Sequence, residues 1–324
     1  MKILVTGSTG FIGSNLCRAL VEAGHSVRAF HRPASSQRGL EGLPVEHVIG
    51  DLTQLETLEP AMAGVEAVFH VAAFMGGRQS GKAYAVTVEG TRAVARAALS
   101  ARVSRLVHTS SVAALGIPET QQISLLDENH TWNYRPERYS YGYAKYLAEL
   151  EIQKAITQGL DAVIVNPTLV FGPGDQYRKA SSLVVQIARR KLTFATEGGI
   201  NAVHLDDVVS GHIAALERGR SGHRYILGGE NLTYLALLQI AARAAGVPAP
   251  STVIPARVLH ALAGPLSLFE NFLSLPLPAD LFYLAGYYFY YNLSKAASEL
   301  DLPAPRPAEE AIHSALDWFR TQSG

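Results

Sequence analysis

Three glycines, Gly7, Gly10 and Gly13, stand directly behind the apolar run KILVT and open a helical stretch. A strand that turns through glycines into a helix brings bare backbone and helix N-terminal amides together, the arrangement that holds a pyrophosphate. A tight strand-to-helix turn alone would also use glycines, so the nucleotide reading rests on the order strand, glycines, helix. The spacing GxxGxxG departs from the GxGxxG fingerprint of dinucleotide-binding units.

Downstream, apolar runs of strand length alternate with helical stretches: SVRAFH, a helical turn after Asp51, AVFHVAA, a helix over Ala83–Ala101, RLVHTSS, a helix over Tyr141–Thr157 and the run AVIVNPTLVFG, with the first helix over Ser14–Ala23. This order predicts an α/β fold, a Rossmann-type doubly wound parallel sheet with helices on both faces. Beyond Pro173 the rhythm decays into short segments broken by Gly and Pro (GPGDQ, EGG, RGRSGHR, GVPAP). The expected division is a dinucleotide-binding domain over 1–170, with room for the chain to return to the sheet around 200–230, and a smaller, mainly substrate-binding C-terminal portion over 171–324. No internal repeat or low-complexity linker interrupts it.

Composition narrows the function classes. Lys and Arg together number 28, as do Asp and Glu, so no positive excess exists to neutralise a phosphate backbone and nucleic acid is not an expected partner. Cys17 is the single cysteine; it can form no internal disulfide, suits a reducing cytoplasmic setting and is expected to pack as a small apolar residue in the first helix. The N-terminal apolar run is too short for a signal peptide. The apolar region Val258–Ser294 is broken by Pro265, Glu270, Pro276, Pro278 and Asp280, and its longest uncharged stretch, Leu281–Ser294, falls short of the roughly 20 residues of a spanning helix, so a soluble protein without membrane insertion is expected.

Several positions carry chemistry. The run SVRAFH leads into Arg32, where an NAD-selective fold would place an acid for the ribose 2′-hydroxyl; a base there favours the 2′-phosphate of NADP, with NAD possible and a solvated arginine as the plain alternative. Asp51, in GDL, suits the adenine amino group or a helix cap. Tyr141 and Lys145, four apart, share a helical face, where an ammonium beside a phenol lowers its pKa toward neutrality. Tyr139, Tyr143 and Tyr146 crowd the same segment, but only Tyr141 stands four residues before a lysine. Ser110 and Ser111 end a strand on the sheet edge where ligands of such folds bind. His70 and His108 read as satisfied core histidines, and no metal-ligand spacing occurs among the eleven histidines. The aromatic run Tyr287–Tyr291 reads as a half-buried strand.

The chain resembles the extended short-chain dehydrogenase/reductases, the NAD-dependent epimerase/dehydratase family, over nearly its whole length, through TGSTGFIG at Thr6–Gly13, GDL at Gly50–Leu52, FHVAA at Phe69–Ala73, VEGT at Val88–Thr91, HTSSVAALG at His108–Gly116, YGYAK at Tyr141–Lys145 and NPTLVFGPGD at Asn166–Asp175. The GxxGxxG spacing is that family's own. The resemblance implies Ser111 as catalytic serine, Tyr141 as acid/base and Lys145 on the nicotinamide ribose. It also implies cofactor contacts from Gly7, Thr9, Gly10, Phe11, Ile12, Gly13, Arg32, Asp51, Leu52, Val71, Ala72, Ala73 and Pro167. Within the family it is most similar to the dihydroflavonol 4-reductase-like branch, near the hopanoid-associated sugar epimerase group, through VNP at Val165–Pro167, VHLDDV at Val203–Val208 and RYILGGENLT at Arg224–Thr233. The His204 and Asp206–Asp207 stretch resembles one that packs the second portion on the first.

Two departures bear on substrate and site. The family usually has Asn before VxGT, where this chain has Thr87, so an asparagine-anchored water or helix kink is expected to be rearranged. True nucleotide-sugar epimerases tend to carry an arginine-aspartate-aromatic run where Gly199-Ile200-Asn201-Ala202 stands. Pro248–Ser294 holds Arg257 as its only Lys or Arg, with Arg178, Lys179, Arg189, Arg190 and Lys191 just upstream, and such a wall suits an apolar ligand better than a nucleotide diphosphate. The expected function is therefore an NADPH-dependent carbonyl reductase or its reverse on a moderately apolar small molecule. The alternatives are a nucleotide-sugar epimerase or dehydratase and a noncatalytic dinucleotide sensor. A homodimer through the helices over Ala83–Ala101 and Tyr141–Thr157 is implied by resemblance.

Overall fold

The computed structural model describes residues 1–74, 84–176, 183–269 and 279–322. Its first half alternates strand and helix: β1 (Lys2–Thr6), α1 (Phe11–Glu22), β2 (Ser26–His31), β3 (Glu46–Ile49), α2 (Leu55–Ala61), β4 (Ala67–His70), α3 (Gly90–Ser100), β5 (Arg105–Thr109), a short β6 (Leu125–Leu126), α4 (Ser140–Thr157) and β7 (Ala162–Pro167). There follow β8 (Leu169–Phe171), α5 (Leu183–Ala188), β9 (Phe194–Thr196), β10 (Gly199–His204), α6 (Leu205–Arg218), β11 (Arg224–Leu227), β12 (Glu230–Thr233), α7 (Tyr234–Ala245), β13 (Thr252–Ile254), α8 (Ala256–Phe269), β14 (Tyr288–Tyr291), α9 (Ser294–Glu299) and α10 (Ala308–Thr321).

Seven strands form one parallel sheet in the order β11-β7-β5-β4-β1-β2-β3. The chain winds outward from β1 in one direction through β2 and β3 and in the other from β4, so the order reverses between β1 and β4, the switch point where ligands of such sheets bind. Apolar side chains cover both faces. On one, Leu16, Cys17 and Leu20 of α1 meet Val208 and Ala215 of α6; on the other, Leu58, Val94, Ala98, Ile152 and Ala155 come from α2, α3 and α4. Each fully buried Leu, Ile or Val stabilises the fold by about 1.5–3 kcal/mol. Cys17 lies within this core, and burial pushes its thiol up to about 12.

The run Ala162–Phe171 does not form one strand. Pro167 supplies no backbone N–H, and beyond Thr168 the chain leaves the main sheet, so β8 pairs with β10 in a second sheet of order β12-β10-β14-β6. β11 does return to the main sheet, parallel to β7. The aromatic run forms β14 but is more deeply placed than a half-buried strand, with Phe289, Tyr290 and Tyr291 all buried. Among the described residues no helix is long and apolar enough to cross a membrane; Glu270, Pro276 and Pro278 lie outside the described residues.

Candidate active site

The glycine turn sits at the carboxyl end of β1, beside the switch point. Gly7 has φ +67°, and a Cβ on it would lie 2.7 Å from the Ala72 backbone; a Cβ on Gly13 would lie 2.1 Å from the Gly7 carbonyl oxygen. Both positions need glycine for closeness, and Gly7 also for its left-handed backbone. Gly10 occupies the N-cap of α1 and offers no side chain, so the first amides of the helix have no side-chain acceptor. Bare backbone, uncapped amides and a neighbouring strand end are what a dinucleotide pyrophosphate requires. Thr9 is buried in this turn, and Phe11 and Ile12 are half-buried at the start of α1.

The other sequence-selected cofactor positions lie beyond neighbouring strand ends. Arg32 follows β2, exposed and without an ion pair among the described residues, so its guanidinium is available to an anion. Asp51 does not occupy the N-cap of α2, which is Gln54. Its Oδ1 accepts from the Thr53 N–H (2.9 Å) and hydroxyl (2.8 Å), a local turn. Leu52 is buried against Gly90. Val71, Ala72 and Ala73 continue from β4, half-buried, and Pro167 ends β7.

Tyr141 and Lys145 occupy the first turns of α4. Lys145 is 2% exposed, and its ammonium donates to the Thr109 carbonyl at the end of β5 (2.9 Å). Burial lowers it to about 8, against the opposing charge of Glu149. Ser111, two residues past β5, caps a 3-10 turn over Val112–Leu115 by accepting from the Ala113 N–H (3.2 Å), which leaves its hydroxyl proton to donate elsewhere. Thus Ser111 and the Tyr141–Lys145 helix come together at one end of the sheet, facing the glycine turn across the β1/β4 switch point.

Residues not singled out from sequence support this arrangement. The Asn166 amide donates to the Ser111 carbonyl (3.0 Å) and to Glu149 Oε1 (2.7 Å), and burial raises the Glu149 carboxyl. The sheet-facing side of α4 therefore carries two ionisable groups, Lys145 and Glu149, one turn apart. A second charge on an otherwise buried helical face was a readable signal. His108 Nδ1 and Nε2 and Asn166 Oδ1 are buried without hydrogen-bond partners, while Glu149 Oε2 lies 3.7 Å from Arg224 Nε. Unsatisfied polar atoms gathered at a strand end are costly and concentrate at functional sites.

The histidine expectation holds for one of its two members. His70 is satisfied on both nitrogens, by Thr6 Oγ1 (2.7 Å) and Thr91 Oγ1 (2.9 Å), whereas His108 lies against the His70 ring with neither nitrogen paired. Burial lowers His70 to about 3 and His108 well below the usual histidine value. The bend before α3 is present without asparagine. It is a π turn over Ala85–Glu89, in which the Thr91 hydroxyl donates to the Thr87 carbonyl (2.6 Å) and Thr87 Oγ1 accepts from the Phe74 N–H (3.2 Å). Such turns frequently mark functional sites.

Farther out, Asp207 pairs with Arg306 and His204 caps α6 by accepting from the Asp206 N–H (3.0 Å), so this stretch ties the C-terminal segment to the start of α6. Arg189, Arg190 and Lys191 are exposed after α5, while Arg178 and Lys179 lie outside the described residues. An apolar cluster adjoins the candidate site: Leu115, Ile117, Leu126, Leu284, Phe289 and Tyr291, with Val112 and Tyr139 packed against it. Among the described residues no group of three or more potential ligands could hold a metal ion.

The family described as NAD dependent epimerase/dehydratase matches residues 3–228. The chain is 35% identical over 330 residues to a candidate dihydroflavonol 4-reductase of Synechocystis sp., covering 98% of this chain and 94% of that one. It is 33% identical over 338 residues to sterol demethylase protein B of Methylococcus capsulatus, covering 99% and 98%. The crystal structure of gox2253 superposes with a TM-score of 0.86 at 35% identity, covering 99% of this chain and 98% of that one.

Proposed function

Because the chain belongs to the NAD dependent epimerase/dehydratase family, we propose that it is an NADPH-dependent reductase of a carbonyl on a moderately apolar small molecule, or the reverse alcohol dehydrogenase. The observation that carries this reading is the Lys145 ammonium, buried beneath Tyr141's turn of α4 and held on the Thr109 carbonyl beside Ser111. A noncatalytic nucleotide sensor has no use for a buried cation under a tyrosine.

The glycine turn, with Thr9, Phe11 and Ile12, would hold the pyrophosphate; Asp51 and Leu52 would flank the adenine, Arg32 would meet the 2′-phosphate, and Val71–Ala73, Pro167 and Lys145 would lie along the nicotinamide half. When bound, the nicotinamide supplies hydride to the carbonyl carbon. Ser111 donates its free hydroxyl proton as a hydrogen bond to the carbonyl oxygen, polarising it. Tyr141 passes its phenolic proton to that oxygen as the alcohol forms. Lys145 favours the phenolate left behind, an ammonium lowering the pKa of a neighbouring acid.

The apolar cluster beside Ser111 and Tyr139 supports an apolar substrate body, at about 25 cal/mol per Å² buried. The names of the two relatives, a dihydroflavonol reductase candidate and a sterol demethylase protein, refer to compounds of that character. The test is a panel of aryl ketones, flavanonols, steroid ketones and UDP-glucose, followed by NADPH absorbance and by product analysis. Stoichiometric NADPH loss with an apolar ketone is expected. Epimerised UDP-glucose without net NADPH loss, and no response to any apolar carbonyl compound, would overturn the reading in favour of an epimerase.

A further inference from the structure

We propose that His212, on α6 and on the opposite face of the sheet from α4, is a positioning residue for Lys145, acting through both the hydroxyl and the carbonyl of Thr109. This rests on the reading of Lys145 given above. It adds a residue from an element that does not itself supply any candidate catalytic or cofactor-binding group.

The chain of contacts is continuous and its polarity is fixed. His212 Nδ1 lies 2.7 Å from the Val208 carbonyl, which can only accept, so Nδ1 carries the proton. In the neutral ring Nε2 is then an acceptor, and the Thr109 hydroxyl 2.8 Å away donates to it. The Thr109 carbonyl in turn accepts from Lys145 Nζ at 2.9 Å. One residue thus takes an imidazole from one face of the sheet and an ammonium from the other.

Thr109 is a place where such an anchor matters. It is the last residue of β5, and β4 ends at His70, opposite His108, so Thr109 has no pairing partner on the β4 side. On the other side it pairs with Val165, and the Ser110 N–H donates to the Val165 carbonyl (2.8 Å) before the chain turns away at Ser111. The hydroxyl bond to His212 therefore adds a side-chain hold on Thr109 to the Val165 bond of the peptide that carries its carbonyl. His212 is fully buried, against the Phe69 ring, and burial lowers it to about 4, which keeps Nε2 an acceptor at neutral pH. The ionisable groups around Lys145 are Glu149 and Tyr141 on its own helix, His70 on β4 and His108 on β5.

The test reads the lysine directly and needs no substrate. The chain has seven lysines, and side-chain carbon NMR of the ε-labelled protein, with Lys145→Met to assign the resonance, gives the Lys145 titration midpoint. Losing the carbonyl acceptor disfavours the charged form, so the midpoint should fall below its wild-type value in His212→Phe and in Thr109→Val, by about half a unit or more. Thr109→Ser keeps the hydroxyl and should restore it. The double variant Thr109→Val/His212→Phe should shift no further than either single one, since both cut the same chain. If His212→Phe does not fold, the valine and serine variants at 109 decide alone. An unchanged Lys145 midpoint in Thr109→Val, or a serine variant shifted as far as the valine one, would overturn the proposal. An inactive protein with the predicted midpoints would contradict only the reductase reading.

Discussion

Lys145 and Arg32 are the two cations on which the proposed chemistry rests, and their surroundings are opposite. Lys145 is buried, and burial, by penalising its charge, lowers it to about 8. Arg32 is exposed, with no ion pair among the described residues, and is available to an anion that arrives from solvent. An arginine-phosphate bond contributes roughly 1.5–3 kcal/mol, and solvent screening places an exposed one at the lower end, so NADPH should bind about tenfold more tightly than NADH. Fluorescence titration of wild type and Arg32→Ala checks this: the variant should lose the preference while its NADH affinity stays level. Equal wild-type affinities would assign Arg32 to the solvated surface.

At the scale of elements, the glycine turn and α1 form a unit that tolerates no added carbon. A Cβ on Gly13 would meet the Gly7 carbonyl oxygen at 2.1 Å, a backbone atom that cannot swing aside. Gly13→Ala should therefore cost about 1–3 kcal/mol in stability and abolish measurable NADPH binding, read by urea titration and by nucleotide fluorescence. Binding at wild-type affinity would show that the turn is not where the pyrophosphate rests. This turn was legible in the sequence because its requirement is local: strand, glycines and helix are contiguous, and so are Tyr141 and Lys145 on one helical face. The alternation of the first half was legible for the same reason. The split of the run at Pro167 into strands of two sheets was not, because the same apolar pattern suits either sheet and only pairing with β10 decides. Nor were Asn166, Thr109 and His212 legible as parts of the site, since their contacts span 17 to 103 residues of sequence. The unpaired state of His108 likewise depends on what its neighbours already bind.

For the whole molecule, folding takes His70, His108 and His212, three imidazoles that the unfolded chain would expose, to 1% exposure or less. His70 falls to about 3, His212 to about 4, and His108 well below its usual value, all chiefly by burial. The unfolded chain takes up these protons near pH 6.5 and the folded one does so only near pH 4 or below, so their contribution to stability is full above pH 6.5 and is lost as pH falls toward 4 and 3. Glu128 and Glu149, raised by burial, act in the opposite sense over their own window and reduce the net change. The unfolding free energy from urea titration should thus be lower at pH 5 than at pH 7 by on the order of 2 kcal/mol or more. A flat profile would mean that the imidazoles take up protons in the folded state and that the polar line through the sheet is not neutral.

In the proposed reaction the protein holds a nucleotide with one set of residues and moves a proton with another. Tyr141→Phe separates the two, since it removes the phenolic proton and leaves the glycine turn and Lys145 in place. Using the apolar ketone with the highest rate in the substrate panel, NADPH oxidation should fall by roughly 10²–10⁴-fold while NADPH affinity by fluorescence stays nearly unchanged. A variant that keeps more than about a tenth of wild-type turnover would contradict the claim, because general acid catalysis by Tyr141 cannot be lost at so small a cost.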